Sequence, residues 1–116
     1  MSPKSRSGRA AKHRAHAPVF AALGDQTRLS LVAKLCGGQL RSISQLTRGS
    51  RLTRQAITKH LRVLERVDIV QSVRRGRESL YELNPEPIVE IKKYLDGVSE
   101  QWDQALARLK LFVERN

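Results

Sequence analysis

Gln55, Thr58, Lys59 and Arg62 stand at i, i+3, i+4 and i+7 in the run LTRQAITKHLRVLERVDIV (Leu52–Val70), so a helix gathers them on one face. Together they offer an amide, a hydroxyl and two cations. Such groups read hydrogen-bond patterns and attract anions, so the chemistry they point to is recognition of a polyanion. Ile57, His60, Leu61 and Leu64 recur on the opposite stripe and would seat the helix on a domain. A helix built this way suits the major groove of double-stranded DNA, where exposed side chains meet base edges while the back stays anchored. Thr53 is placed to cap its start. Gln55 is the candidate reader of adenine, Arg54 or Lys59 of guanine or a nearby phosphate, and Arg62 of phosphate.

The elements that must hold this helix are written in the flanking residues. Ser42, with Gln45 three residues later, makes a capping-box pattern for a short helix over 42–48, with Ile43 and Leu46 facing inward. Gly49 then opens the turn. Two helices joined by a Gly-containing turn, the second basic and amphipathic, make a helix-turn-helix.

Upstream, Pro18 can open a helix carrying Val19, Phe20, Ala22 and Leu23; Gly24 breaks it and Asp25 caps the next. That next helix sets Leu29, Val32, Leu35 and Cys36 on one stripe, which predicts a packed, inert Cys36 thiol, with a redox or metal role as the alternative. Gly37 and Gly38 end it. After Asp68 the periodicity turns alternating, and Ile69–Val73 and Ser79–Leu83 predict two strands joined through Arg74-Arg75-Gly76-Arg77. Arg74, Arg75 and Arg77 at a hairpin tip suit phosphate or minor-groove contacts. The plainer alternative is a charged tip that keeps the hairpin soluble.

Past Pro85 and Pro87 a long helix is expected to about Val113. Its apolar residues Ile88, Ile91, Leu95, Val98, Trp102, Ala105, Leu109 and Phe112 alternate three and four apart, the a/d seam of a packed helix pair. Such a helix spans roughly 40 Å, which a small monomer would struggle to cover. A homodimer is the economical solution, with Phe20, Ile91, Leu95, Val98, Trp102, Leu109 and Phe112 as candidate interface residues. Packing on the chain's own first helix is the alternative, and both can hold.

Composition points the same way. The 116-residue chain carries a formal net charge of +11, which favours nucleic acid over an anionic membrane as partner. The charge is concentrated early: residues 1–16 hold Lys4, Arg6, Arg9, Lys12 and Arg14 and no acid, whereas the acids cluster over 84–116. Residues 1–16 read as a disordered basic arm, and 17–116 as one domain whose 84–116 segment is the dimerisation helix. A single cysteine allows no internal disulfide, and neither a spanning segment nor a secretory signal is expected, so the cytoplasm is the expected compartment.

Two stretches resemble a known family. Phe20-Ala21-Ala22-Leu23-Gly24-Asp25-Gln26-Thr27-Arg28-Leu29 is similar to the opening signature of the ArsR/SmtB transcriptional repressors, and Leu52–Leu61 with Leu64-Glu65 resembles their recognition helix. The resemblance covers about residues 17–116. It implies a mainly α winged helix-turn-helix with a small β-hairpin wing, dimerising through its long C-terminal helix and its N-terminal helix. It also implies that Thr53, Arg54, Gln55, Thr58 and Lys59 face DNA, while His60 and Leu61 seat the helix, His60 as a packed, hydrogen-bonded residue. The sequence departs from the family's metal sensors: Gln39-Leu40-Arg41-Ser42-Ile43-Ser44 lacks their Cys-x-Cys, and the last helix has acids but no histidine. No metal site and no cofactor are therefore expected; the Trp102–Val113 segment is similar to a subgroup without metal ligands.

The expected function is a dimeric, sequence-specific DNA-binding repressor acting on a partly palindromic operator. The alternative is an architectural protein that coats nucleic acid without sequence preference. An enzyme is not expected, since no Gly-rich phosphate loop, nucleophile–base set or cluster of carboxylates is present. The sequence names no small-molecule effector.

Overall fold

In a computed structural model of the protein, residues 15–115 are described. Residues 15–23 are helical (α1). There follow α2 (Gln26–Leu35), β1 (Arg41–Ser42), α3 (Ile43–Thr47), α4 (Arg54–Arg66), β2 (Val70–Arg75), β3 (Glu78–Leu83) and α5 (Pro85–Arg115). The three strands form one antiparallel sheet in the order β1-β3-β2. The architecture is a winged helix-turn-helix: α3 and α4 are the paired helices and the β2–β3 hairpin is the wing. The chain divides into two units, residues 1–85 and 86–116, of which the first carries the helix-turn-helix and the wing.

Local side-chain chemistry starts α2, α3 and α4. Asp25 accepts from the Arg28 N–H at 3.0 Å at the head of α2. Ser42 accepts from Gln45 N–H at 3.1 Å while Gln45 Oε1 accepts from Ser42 N–H at 2.8 Å, the reciprocal pair that starts α3. Thr53 accepts from Ala56 N–H at 3.1 Å at the head of α4. These caps fix where each helix begins, and the apolar stripes fix how it lies. Leu31 and Leu35 of α2, Leu46 of α3, and Ile57, Leu61 and Leu64 of α4 are all buried, joined by Val19 and Ala22 of α1, by Ile69 and Val70 at the entry to the wing, and by Tyr81 of β3. Removing any one of the fully buried leucines to alanine should cost about 2–5 kcal/mol.

α2 buries only part of the expected stripe: Leu35 is in the core and Val32 half-buried, but Leu31 takes the place expected of Leu29. Leu29 is 53% exposed while Leu31 is buried; two residues apart, they point about 200° from each other around the helix. Cys36 falls outside the last helical turn, as the C-cap with its N–H on the Ala33 carbonyl at 3.2 Å, and its side chain is exposed. The expectation of a packed thiol is overturned.

Three boundaries also differ. Helix is already formed at residue 15, so Pro18 lies within α1 and does not open it, and residues 15 and 16 of the expected arm are helical. Residues 1–14 of that arm lie outside the described residues. β1 was not foreseen; its two residues pair with β3, Arg41 opposite Tyr81 and Ser42 opposite Leu80. α5 begins on Pro85 and includes Pro87, both in its first turn, where their missing N–H groups have no helical acceptor to lose.

The second unit is α5. Ile91 is buried at 7% exposure, while Leu95, Trp102, Leu109 and Phe112 are 46%, 68%, 57% and 66% exposed. No described helix is long and apolar enough to cross a membrane.

Candidate nucleic-acid interface

The exposed face of α4 is the centre of the site. Arg54, Gln55, Lys59 and Arg62 are exposed and Thr58 half-exposed, whereas Ile57, Leu61 and Leu64 fix the opposite stripe in the core. Arg54, Gln55, Thr58, Lys59 and Arg62 line a single open concavity with Ile43, the first residue of α3. Five of the six recognition-helix candidates thus share one surface. Thr53 does not join them in the concavity; its hydroxyl is occupied in capping α4. Thr58 donates its hydroxyl to the Arg54 carbonyl at 2.8 Å, so it can offer DNA an acceptor and a methyl group but not that proton.

The wing holds the second set of cations. β2 and β3 pair from Val70↔Leu83 to Arg75↔Glu78, leaving a two-residue turn of Gly76 and Arg77. Gly76 has φ +63° and Arg77 does not share the positive φ, the pattern of a type II′ turn with glycine first. Arg74 and Arg75 therefore lie in strand β2 and only Arg77 in the turn itself, a small shift from the expected four-residue tip. All three are exposed. Among the described residues, the ion pairs are Lys93–Glu90 and Lys110–Glu114, with His60–Asp25 a third only when His60 is protonated, so Arg54, Lys59, Arg62, Arg74, Arg75 and Arg77 have no carboxylate to neutralise them.

Two further cations lie in the turn that leads into α4. Arg48 and Arg51 are exposed in the turn between α3 and α4 and, among the described residues, form no ion pair. Their signal in the sequence was plain, two arginines flanking Gly49 and Ser50 inside the helix-turn-helix. Sequence reasoning passed over them because it treated the turn as a connector only.

On the inner edge of α4, His60 meets α2. Its Nδ1 lies 3.1 Å from an Arg28 Nη1, and 3.8 Å from an Asp25 carboxylate oxygen. Arg28 also donates its Nε–H to the Ala22 carbonyl at the end of α1. The Arg28 N–H donated to its carboxylate, with the Arg28 and His60 side chains beside it, holds Asp25 below the usual carboxylate range. At the sheet, burial pushes the Tyr81 hydroxyl above its ordinary value; Glu65 adds to that and Arg62 opposes it. Among the described residues no group of three or more His, Cys, Asp or Glu is placed to hold a metal ion.

Residues 25–76 match the model of the bacterial regulatory protein family arsR. The chain is 36% identical over 81 residues to the uncharacterized HTH-type transcriptional regulator YuzN of Bacillus subtilis, covering 65% of this chain and 88% of that one. It is 30% identical over 69 residues to the arsenical resistance operon repressor of the same organism, covering 60% and 66%. Among solved structures, an ArsR-like transcriptional regulator from Rhodococcus sp. RHA1 superimposes with a TM-score of 0.77 at 33% identity, over 92% of this chain and 97% of that one. The homodimeric winged helix-turn-helix DNA-binding domain of Mb0332 from Mycobacterium bovis shares the fold at a TM-score of 0.63 and 20% identity, over 84% and 89%.

Proposed function

The chain belongs to the ArsR family of bacterial regulatory proteins, and from that premise we propose that it is a homodimeric repressor of transcription, acting in the cytoplasm by sequence-specific binding to a partly palindromic operator. The observation that carries this reading is α4: a helix locked by Ile57, Leu61 and Leu64 on one side that presents Gln55 and unpaired Arg54, Lys59 and Arg62 on the other. Gln55 reads a base edge by its amide, and Arg54 and Lys59 take guanine or a neighbouring phosphate. Arg62 and the wing residues Arg74, Arg75 and Arg77 hold the backbone.

The second copy is supported by α5, whose Leu95, Trp102, Leu109 and Phe112 are left exposed in the single chain, and by the homodimeric state of the Mb0332 domain. Phe20, Ile91 and Val98 complete the proposed interface. A two-fold axis then sets two recognition helices roughly 34 Å apart, one turn of the duplex. Repression follows from occupancy: a dimer seated on an operator blocks whatever must bind there next. Binding alone accounts for this action, and no catalytic step is assigned.

Selection of duplexes from a random pool by the full chain tests the reading. The expected product is a partly palindromic sequence bound roughly 10³-fold or more over bulk genomic DNA. Gln55→Ala should relax the preference at one position per half-site, by roughly 1–3 kcal/mol. Equal binding to every duplex would overturn this function and leave a sequence-indifferent coat in its place, a role the net charge of +11 would suffice for.

A further inference from the structure

We propose that Arg28 is a positioning residue for the recognition helix, acting through His60 in its neutral, Nε2–H form, and that acid loosens the grip on DNA by protonating this contact. The inference rests on the DNA-binding reading above.

The geometry carries it. Arg28 sits in the first turn of α2, and its guanidinium joins two other elements: Nε donates to the Ala22 carbonyl of α1, and Nη1 stands 3.1 Å from His60 Nδ1 on α4. Guanidinium nitrogens only donate. Nδ1 must therefore supply a lone pair, which places the ring proton on Nε2. Asp25 Oδ2 accepts the Arg28 backbone N–H and lies 3.8 Å from the same Nδ1, too far for a hydrogen bond. The three side chains thus tie the α1–α2 junction to the inner edge of α4, about one turn from Gln55 and on the stripe opposite it. A proton on Nδ1 removes the acceptor that Arg28 uses and sets a second cation against the guanidinium. The protonated ring keeps the Asp25 carboxylate 3.8 Å from Nδ1 as its anion, but it can no longer accept from Arg28.

No other titratable group takes over this role. α3 (Ile43–Thr47) contributes none, and β2 contributes none before Arg74. Lys34, on α2, donates its ammonium to the Leu46 carbonyl. Tyr81 of β3 has Glu65 and Arg62 of α4 as its charged neighbours. In the described part of α1 the one titratable side chain is His16.

The sign separates this device from charge alone. A protonated histidine adds positive charge, which by itself tightens binding to a polyanion; a broken Arg28–His60 contact weakens it. Histidine is the side chain that changes charge between pH 5 and 8. The experiment measures affinity of the full chain for a duplex that it selects from a random pool, from about pH 8 down to about pH 5.5, at constant salt. His60→Asn keeps an acceptor oxygen near the Nδ1 position and cannot titrate. The wild type should lose roughly fivefold or more in affinity on acidification, while His60→Asn holds or gains and His16→Asn follows the wild type.

A nitrogen NMR spectrum of the wild type at neutral pH, which needs no DNA, should show His60 Nδ1 unprotonated and Nε2 carrying the proton. Coincident profiles for wild type and His60→Asn, or a proton found on Nδ1 at neutral pH, overturn this inference and leave the DNA-binding reading intact. If the wild type selects no duplex at any pH, the reading beneath it falls, and this inference with it.

Discussion

The backbone N–H of Ile69 donates to the carbonyl of Leu64 at 3.0 Å, and this bond turns the recognition helix into the wing. Beside it the Asp68 N–H donates to the Glu65 carbonyl at 3.0 Å. The two bonds form a Schellman closure of α4 with Val67 as C-cap, and Ile69 and Leu64, both fully buried, supply its hydrophobic contact. The closure needs a left-handed residue between them, which is Asp68 at φ +61°. Farther on, the Asn84 N–H donates to the Ile69 carbonyl at 2.9 Å and pins the base of the hairpin. The direction in which the wing arginines leave the domain is set at this joint.

Asp68 should therefore be a stability lever. Left-handed backbone costs an L-residue about 1–2 kcal/mol, and Asp tolerates it better than branched residues. Asp68→Gly removes that cost but gives the unfolded chain more freedom, so a net gain of about 0.5 kcal/mol is expected. Asp68→Val should lose about 1–2 kcal/mol. Urea unfolding of the two variants checks the order; a valine variant as stable as the parent would mean the left-handed turn is not holding the joint.

The wing and the helix-turn-helix turn should be separable from the base-reading face by salt. The slope of log affinity against log salt shrinks by about 0.9 for every phosphate that the protein no longer neutralises. Arg77→Ala in the wing and Arg51→Ala or Arg48→Ala in the turn should each flatten the slope by about that much per protomer, with the ranking of duplexes unchanged. Lys110→Ala, which removes an ammonium already 4.0 Å from Glu114, serves as comparison and should leave the slope alone. A changed sequence preference in Arg51→Ala would instead place that side chain at a base edge.

Tyr81 predicts an alkaline limb in stability. Its hydroxyl is raised above 10.0 by burial, with Glu65 adding to the shift. In the unfolded chain it ionises at the ordinary value, so the unfolded state is the first to gain from deprotonation. The contribution is therefore whole below the ordinary value and is lost as pH rises through the folded one. Tyr81→Phe should flatten the decline in urea-unfolding stability above about pH 9.5. Asp25 works with the opposite sign: its lowered value gives stability that is lost as pH falls through the acid range, and Asp25→Asn, which still caps α2, should remove that dependence.

The parts of the molecule that were readable in advance are those fixed within a few residues. Asp25, Ser42 with Gln45, and Thr53 each cap through a bond three residues long, so their sequence pattern is their mechanism. α4 was legible because its two stripes differ sharply in chemistry. α2 was not: Leu29, Leu31, Val32 and Leu35 allow two apolar stripes, and only the packing of α4 and β3 against it selects Leu31 with Leu35. β1 is two residues that exist as a strand solely because Tyr81 and Leu80 lie opposite. Asp68 carries no glycine flag for its left-handed turn. Arg28 and His60 are 32 residues apart, and no spacing rule links them.

The one tryptophan of the chain offers a direct reading of the proposed dimer. Trp102 is 68% exposed in the single subunit, between Leu95 on one side and Leu109 and Phe112 on the other along α5. An indole covered by a second copy leaves water for an apolar contact, so its emission should shift to the blue as protein concentration rises through the dimerisation range. The mass measured by light scattering should double over the same range. Leu109→Glu sets a carboxylate into that contact without touching the helix-turn-helix unit, and its burial cost should hold the variant as a monomer with red-shifted emission. That monomer keeps one recognition helix and one wing, so it should retain weak, salt-sensitive binding and lose the preference for paired half-sites. Blue-shifted emission that does not depend on concentration would point instead to α5 folding back onto its own chain.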